Sequence, residues 1–561
     1  MSHKSKNNTN VNENTPIGKT SSPEREPNST GKFYCWLKDG VVINPFDFVV
    51  ADNIKGTRTV GIVTEIESLS DAASHLSNYV SSDFGKPTAE PYVERLSSMV
   101  AQVNVLRNTG YLIENRHTEI FMPVPGDQKV RFANASDIRF AIGTDLILGK
   151  EIPAGVIYQS NGTIVPVSID SDYTLGPEGA HINVSGISGL ATKTSYLMFL
   201  ILSIRERLQE DVAFVIFNVK QADLLHIDEK GDDLTDEDLK LYKLLDLKPE
   251  PFDDVHYFLP RGGDDGQPDS DSPPHEFQIY AYTLADVHSR FDLLFADVPD
   301  PYFTLDTFNT RVREDWENGR LVIRPPPDRG RTQQYRLPTH VTTWHELRNL
   351  DNNLLQEAYN LHAQTVPRIK RELTRLTSSP LFVNNRAQNE VYLGETIREI
   401  EAGEIYVIDI ARIPSRTQPF VVGDIMRSID EMYREGEAEN LPKKMIILLD
   451  ELNTFAPAGS ETAIAEQIVE IARKGRSRGT ILFGAEQFKS EIHEQIVGNC
   501  GTHALGRTGS AEIRKSAYAF LDQKSRQNIM SLGKGEIVLS TPTWRSPIKI
   551  RFPRPPYKKM R

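Results

Sequence analysis

Cysteine is almost missing from this chain: Cys35 and Cys500 are the two in 561 residues, far apart and without a CxxC spacing. That excludes a disulfide framework and a cysteine zinc site, and it points to a reducing compartment, so a cytoplasmic location is expected. Long apolar runs are missing too. The strongest, residues 196–204, falls far short of the ~20 that a bilayer requires, and no membrane partner is expected. The first thirty residues contain almost nothing apolar; they lack the core of a signal peptide and read as a disordered tail. No internal repeat is visible. The chain is nevertheless long enough for about two to four domains, with cores that need no covalent staples.

Charge is unevenly spread. The net value is −13, yet from Glu470 to Arg561 eighteen Lys and Arg stand against seven Asp and Glu. A basic end on an acidic chain suits an anionic partner held locally, or arginines at subunit and nucleotide contacts.

Residues 32–146 alternate short apolar segments with turns. Candidate strands are 41–43, 46–50, 59–66, 99–106, 119–123 and 130–133, with a helix near 71–80, a pattern that predicts a small β-barrel or sandwich. From residue 163 the pattern changes. A strand at 180–184 runs into glycines, then into a mainly apolar helix at 196–208 and a strand at 212–219. Strand, glycine loop, helix, strand is a βαβ unit of a parallel sheet. Residues 226–274, rich in Asp, Gly and Pro, read as a surface insertion, and 344–376 as helical. Further strands are expected at 405–410, 445–449 and 480–485, with helices at 422–435 and 463–474. The predicted division is a tail 1–30, a β-barrel 31–150, a first core part 151–225, an acidic and helical insertion 226–380, a second core part 381–545 and a basic tail 546–561.

Three places carry chemistry. The first is Ser185-Gly186-Ile187-Ser188-Gly189-Leu190-Ala191-Thr192-Lys193-Thr194-Ser195. Between strand and helix, such a loop turns N–H groups inward and adds the positive helix end, which suits phosphate. Lys193 would reach the β and γ phosphates and Thr194 would hold Mg²⁺, with Ser195 as the alternative metal ligand. Gly186, Ser188, Gly189, Leu190, Ala191 and Thr192 would form the cradle. Thr192 stands where the GxxxxGK[ST] pattern has glycine, and five residues rather than four precede it. The second place is an apolar strand ending in Asp450-Glu451. Ligands of an open parallel sheet bind beyond the carboxyl ends of its strands. Asp450 would position Mg²⁺ and Glu451 would orient or deprotonate a water. The third is the strand ending near Gln487, whose amide can sense a γ phosphate. Before it, Arg473-Lys474-Gly475-Arg476-Ser477-Arg478-Gly479 reads as a basic linker. Arg476, Arg478 and Arg507 are candidates for an arginine that a neighbouring subunit supplies; a solvated loop or ion pair is the bland alternative for each.

These features, in this order, resemble the HerA family of hexameric DNA-translocating ATPases, relatives of FtsK. The resemblance covers most of residues 32–556. It rests on the N-terminal barrel pattern, the loop from His181 to Ser195, the strand end Leu448–Glu451, and the stretch from Arg473 to Gln487. It implies an α/β chain, with a small N-terminal β-barrel followed by a RecA-like P-loop ATPase domain with a helical insertion. It also implies ATP and Mg²⁺ as cofactors, a homo-hexamer, and double-stranded DNA drawn through by a translocase or helicase. The run Gly176–His181 and the loop variant at 188–195 look like a bacterial branch accompanying antiphage effectors: a nuclease, or a sirtuin-like NAD hydrolase. A second expectation stays open, a nucleotide-regulated scaffold ring that activates such an effector without sustained translocation.

Overall fold

The computed structural model describes residues 15–88, 90, 96–113, 116–187, 193–263, 266–295, 298, 304–326, 337–436 and 441–560. The chain divides into two compact units, Met1–Ser171 with Ala504–Pro553, and Asp172–His503 with Arg554–Arg561.

In the first unit six strands pair in a closed ring: β1 (Gly18–Ser21), β2 (Lys32–Leu37), β3 (Phe48–Asp52), β4 (Arg58–Ser70), β5 (Ser97–Asn108) and β6 (Lys129–Phe132), in the order β1-β2-β5-β4-β3-β6. Phe33, Cys35, Val49, Val63, Ala101, Val103 and Val130 fill its interior. Part of the expected tail therefore belongs to the ring. Ile17 is buried, and Gly18 crosses β2 so closely that a Cβ would lie 1.9 Å from the Trp36 carbonyl oxygen. Only glycine permits that approach. Two expected strands are absent among the described residues. At 41–43, Val41 N–H closes a turn onto Lys38 O; residues 119–123 join no ladder, and Glu119 instead takes the Arg545 guanidinium at 2.8 and 2.9 Å. The same unit holds β7 (Glu151–Tyr158) and β8 (Ile164–Asp170), which pair antiparallel. β7 pairs with Ile548–Arg551, and that strand pairs with Glu536–Ser540. The expected basic tail thus begins as a strand, because Ile548 and Ile550 alternate with Lys549 and Arg551 and bury their face.

In the second unit eight strands run parallel. They are β9 (Ile182–Ser185), β10 (Val212–Asn218), β11 (Val255–Pro260), β12 (Gln278–Tyr280), β13 (Glu390–Val391), β14 (Ile405–Asp409), β15 (Lys444–Leu449) and β16 (Thr480–Glu486), ordered β9-β16-β15-β10-β14-β11-β12-β13. Every residue of β10 and β16 is buried, as expected of strands covered on both faces. The segment 226–274 read as a surface insertion therefore supplies β11 to the sheet, and β12 follows just after it. Its apolar run, Tyr257-Phe258-Leu259, was masked by acidic flanks. Residues 344–376 form three helices, Trp344–Asn349, Asn352–Tyr359 and Thr365–Leu376, broken where Asp351 caps and Asn360 turns left-handed. Leu347, Leu350, Leu355 and Leu361 pack in one core with the sheet.

The helices that position the site are α1 (Lys193–Leu208), α2 (Gln418–Glu435) and α3 (Ala463–Arg478). On α2, fully buried Asp424 takes the Arg290 Nε–H at 3.0 Å and the Tyr392 hydroxyl at 3.1 Å, while Arg290 also pairs with Glu431 at 2.6 Å. Burial pushes the Asp424 carboxyl up to about 6, against the pull of Arg290. Arg290→Met strands that carboxylate, so a loss of about 3–5 kcal/mol is expected at pH 7.5, read as a lower urea midpoint. A raised carboxyl favours the native state at low pH and loses that contribution as pH rises through its folded value. The loss should therefore be smaller at pH 5, where Asp424 in the variant is protonated.

Candidate nucleotide site

β9 enters the site through His181, which sits at φ 66 with its ring buried; Nδ1 accepts the Leu482 N–H at 2.9 Å. Burial lowers this imidazole to about 4, so it serves as a neutral acceptor that ties β9 to β16. Beyond Ser185 come buried Gly186 and exposed Ile187. Ser188, Gly189, Leu190, Ala191 and Thr192 lie outside the described residues. α1 then starts at Lys193 itself.

Lys193 is 6% exposed, and its Nζ has no hydrogen-bond partner among the described residues. Glu451 Oε1 lies 3.9 Å away. Burial lowers this ammonium's pKa, and Asp450 and Glu451 oppose the shift. A buried, unsatisfied ammonium at a helix start is a strong demand for an anion. Next to it, Thr194 Oγ1 donates to Asp450 Oδ2 at 3.1 Å. Asp450, at the end of β15, is 7% exposed and accepts the Glu451 N–H on Oδ1 at 2.8 Å. Glu451 adopts φ 52, a left-handed conformation costly for a side chain with a Cβ, which turns the chain sharply at the strand end. The structure thus brings Lys193, Thr194, Asp450 and Glu451 together. Ser195, buried, follows in the same helical turn.

Two residues join this group that the sequence did not single out. Lys220, just past β10, hydrogen-bonds the Glu451 carboxylate and stands 3.8 Å from Asp450 Oδ2. Its signal was a lysine following an apolar strand on the same edge as Asp450. Glu486 ends β16 opposite Ser185, fully buried, and takes Asn183 Nδ2–H at 3.0 Å. Its other oxygen has no hydrogen bond among the described residues, and burial raises this carboxyl well above its ordinary range. Nearby, Lys489 is lowered by burial to about 8 and lies 2.9 Å from His503 Nδ1, which burial holds neutral. Gln487 follows Glu486 directly and is half-buried.

The arginines are placed differently. The expected basic linker is the last turn of α3, which runs through Arg478 and stops at Gly479, φ 88. Glycine ends the helix there because the left-handed cap strains any other residue. Arg476 and Arg478 therefore sit at the start of β16. Glu486 is at its far end, roughly 20 Å along a seven-residue strand. Arg476 donates to Glu178 O at 2.9 Å, while Arg478 pairs with Asp430 and with Glu470 at 3.4 Å. Arg507 lies in the other unit, exposed, just after the strand Thr502–Leu505.

Among the described residues no cluster of three His, Cys, Asp or Glu could hold a metal alone. Both cysteines are free and buried, and no described helix is long and apolar enough to cross a membrane.

No family model matches the chain. A curated relative is the DNA double-strand break repair helicase HerA of Pyrococcus furiosus, 24% identical over 187 residues, which are 28% of this chain and 34% of the relative. The chain thus spans about a third of that relative's length. Among solved structures, the bacterial conjugative coupling protein TrwB aligns over 75% of this chain and 94% of its own, at 12% identity and a TM-score of 0.45. VirB4 of Thermoanaerobacter pseudethanolicus aligns over 72% and 96%, at 13% and 0.40. Over those 187 residues the chain is similar to HerA, and its own site sets a helix-start threonine against a strand-end aspartate, with a buried lysine next to that threonine.

Proposed function

We propose that this chain is the subunit of a homo-hexameric ring that hydrolyses ATP with Mg²⁺ and moves double-stranded DNA. The carrying observation is the 3.1 Å bond from Thr194 to Asp450 beside the buried ammonium of Lys193. Thr194 and Asp450 would hold Mg²⁺ through a hydroxyl and one carboxylate, and the ion would supply charge neutralisation at the phosphates. Lys193 holds the β and γ phosphates. Gly186, Ser188, Gly189, Leu190, Ala191, Thr192 and Ser195 complete the cradle in sequence. Glu451 accepts the proton of the attacking water, and Gln487 orients that water. Lys220 must release Glu451 before it can act, since an ion-paired carboxylate is a weaker base. A neighbour's arginine stabilises the transferring phosphate. The own-chain bonds of Arg476 and Arg478 favour exposed Arg507 for that role over the other two.

The DNA substrate is supported by the curated relative's description as a DNA repair helicase and by the basic carboxyl-terminal stretch. Partnership with a nuclease or a sirtuin-like NAD hydrolase in antiphage defence rests on the sequence resemblance, and a cytoplasmic location on the two free buried thiols. One observation favours the second reading, a nucleotide-regulated scaffold ring: Lys220 already occupies the proposed base.

Duplex DNA added to the full chain with ATP and Mg²⁺ decides between them. Several-fold faster phosphate release, from a particle of hexamer mass in light scattering, is expected. A hexamer whose turnover ignores DNA is the scaffold. A monomer with full activity removes the ring from both readings.

A further inference from the structure

Residues Arg554–Arg561 belong to the unit that carries the site, and they are clasped to it. The Tyr242 hydroxyl donates to Arg554 O at 2.7 Å, Gly231 N–H to Pro556 O at 2.9 Å, and Lys558 N–H to Glu229 O at 2.8 Å. Lys558 Nζ adds a 2.6 Å ion pair to Glu229. Tyr557 is 3% exposed, its ring 6.1 Å from that of Phe252. Its carbonyl passes so near Gly231 that a Cβ there would lie 2.4 Å away, so the path of the segment is fixed by backbone fit. The next residue is Lys559, whose Nζ donates to Ser195 Oγ at 2.8 Å.

Ser195 lies in the first turn of α1, two residues after Lys193. A helix start carries partial positive charge and disfavours a cation, which belongs at the other end. Lys559 is nevertheless delivered there, onto the helical turn that begins with Lys193, whose buried ammonium lacks a hydrogen-bond partner among the described residues. The clasp through Tyr557 and Lys558 anchors the segment upstream of Lys559. Asp223 is the carboxylate facing Lys559; burial and Asp450 raise it, while Lys220 and Lys559 lower it. A cation in the first turn of the helix and a second held on Ser195 of that turn fit a ligand bearing several negative charges.

We infer that Lys559 is a second phosphate-binding lysine of this site, delivered in cis by the clasped carboxyl-terminal segment and contacting the polyphosphate next to Ser195. The inference rests on the nucleotide reading above. It is tested by titrating Mg²⁺-ATP into the full chain and into Lys559→Ala, Lys559→Arg and Lys193→Ala. Losing one charge-assisted hydrogen bond should weaken ATP binding in Lys559→Ala by about tenfold or more. Arg at 559 should recover most of that. The loss in Lys559→Ala should fall more on KM than on kcat, because the contact is made in the ground state as well as the transition state. The ATP-free melting midpoint should not move. Native affinity in Lys559→Ala alongside loss in Lys193→Ala overturns the inference and leaves the nucleotide site standing. Native affinity in both variants overturns both. A lowered ATP-free midpoint with no recovery in Lys559→Arg makes the residue structural and also overturns it.

Discussion

Lys193→Ala is expected to cut ATP turnover by at least about 10²–10³-fold, the scale for removing one preorganised donor to developing charge. Its Nζ is buried, lies 3.9 Å from Glu451 and has no hydrogen-bond partner among the described residues. In the alanine variant Asp450 and Glu451 face the phosphates with Lys220 and Lys559 as the remaining cations. Folding should survive, because the substitution removes a buried charge rather than exposing a core. The check is phosphate release alongside circular dichroism and a melting curve. Native turnover in a folded variant would show that the loop preceding α1 is not a phosphate site.

Glu451→Gln should bind ATP normally and turn over about 10²–10⁴-fold more slowly, the range supplied by a positioned base. The amide keeps the volume, and its oxygen can still accept from Lys220, but it cannot take a proton. Asp450 keeps its bond to Thr194, so the metal position is intact. Nucleotide binding by fluorescence titration and single-turnover hydrolysis separate the two effects. A Glu451→Gln chain that no longer binds nucleotide would make Glu451 a metal ligand or a structural residue and reverse its division of labour with Asp450.

The elements that hold this group were legible for a simple reason. β10, β15 and β16 are covered on both faces, so each carries an unbroken apolar run, at 212–217, 445–449 and 481–485. The polar residues that interrupt such runs, Lys193 and Asp450-Glu451, then stand out at strand and helix ends. Gly479 marked the end of α3, although the helix continues through the residues read as a linker, since Arg and Lys are compatible with both states. Local pattern failed where composition and packing disagreed. β11 is hidden among acidic residues, and β1 exists because Gly18 fits under the Trp36 carbonyl, a contact that propensity does not encode.

What the sequence by itself determined is the parallel α/β core, Lys193 at the start of a helix and the carboxylates at a strand end at 450 and 451, because each depends on residues adjacent in the chain. Tertiary structure alone decided which charges meet. Lys220 reaches Glu451 because β10 lies beside β15, and Glu486 stands opposite Ser185 because β16 lies beside β9. Lys559 comes to Ser195 from 364 positions away. Strand order and a buried tail set those distances, and the energy of a buried charge depends on its neighbours in space, which no local pattern of residues specifies.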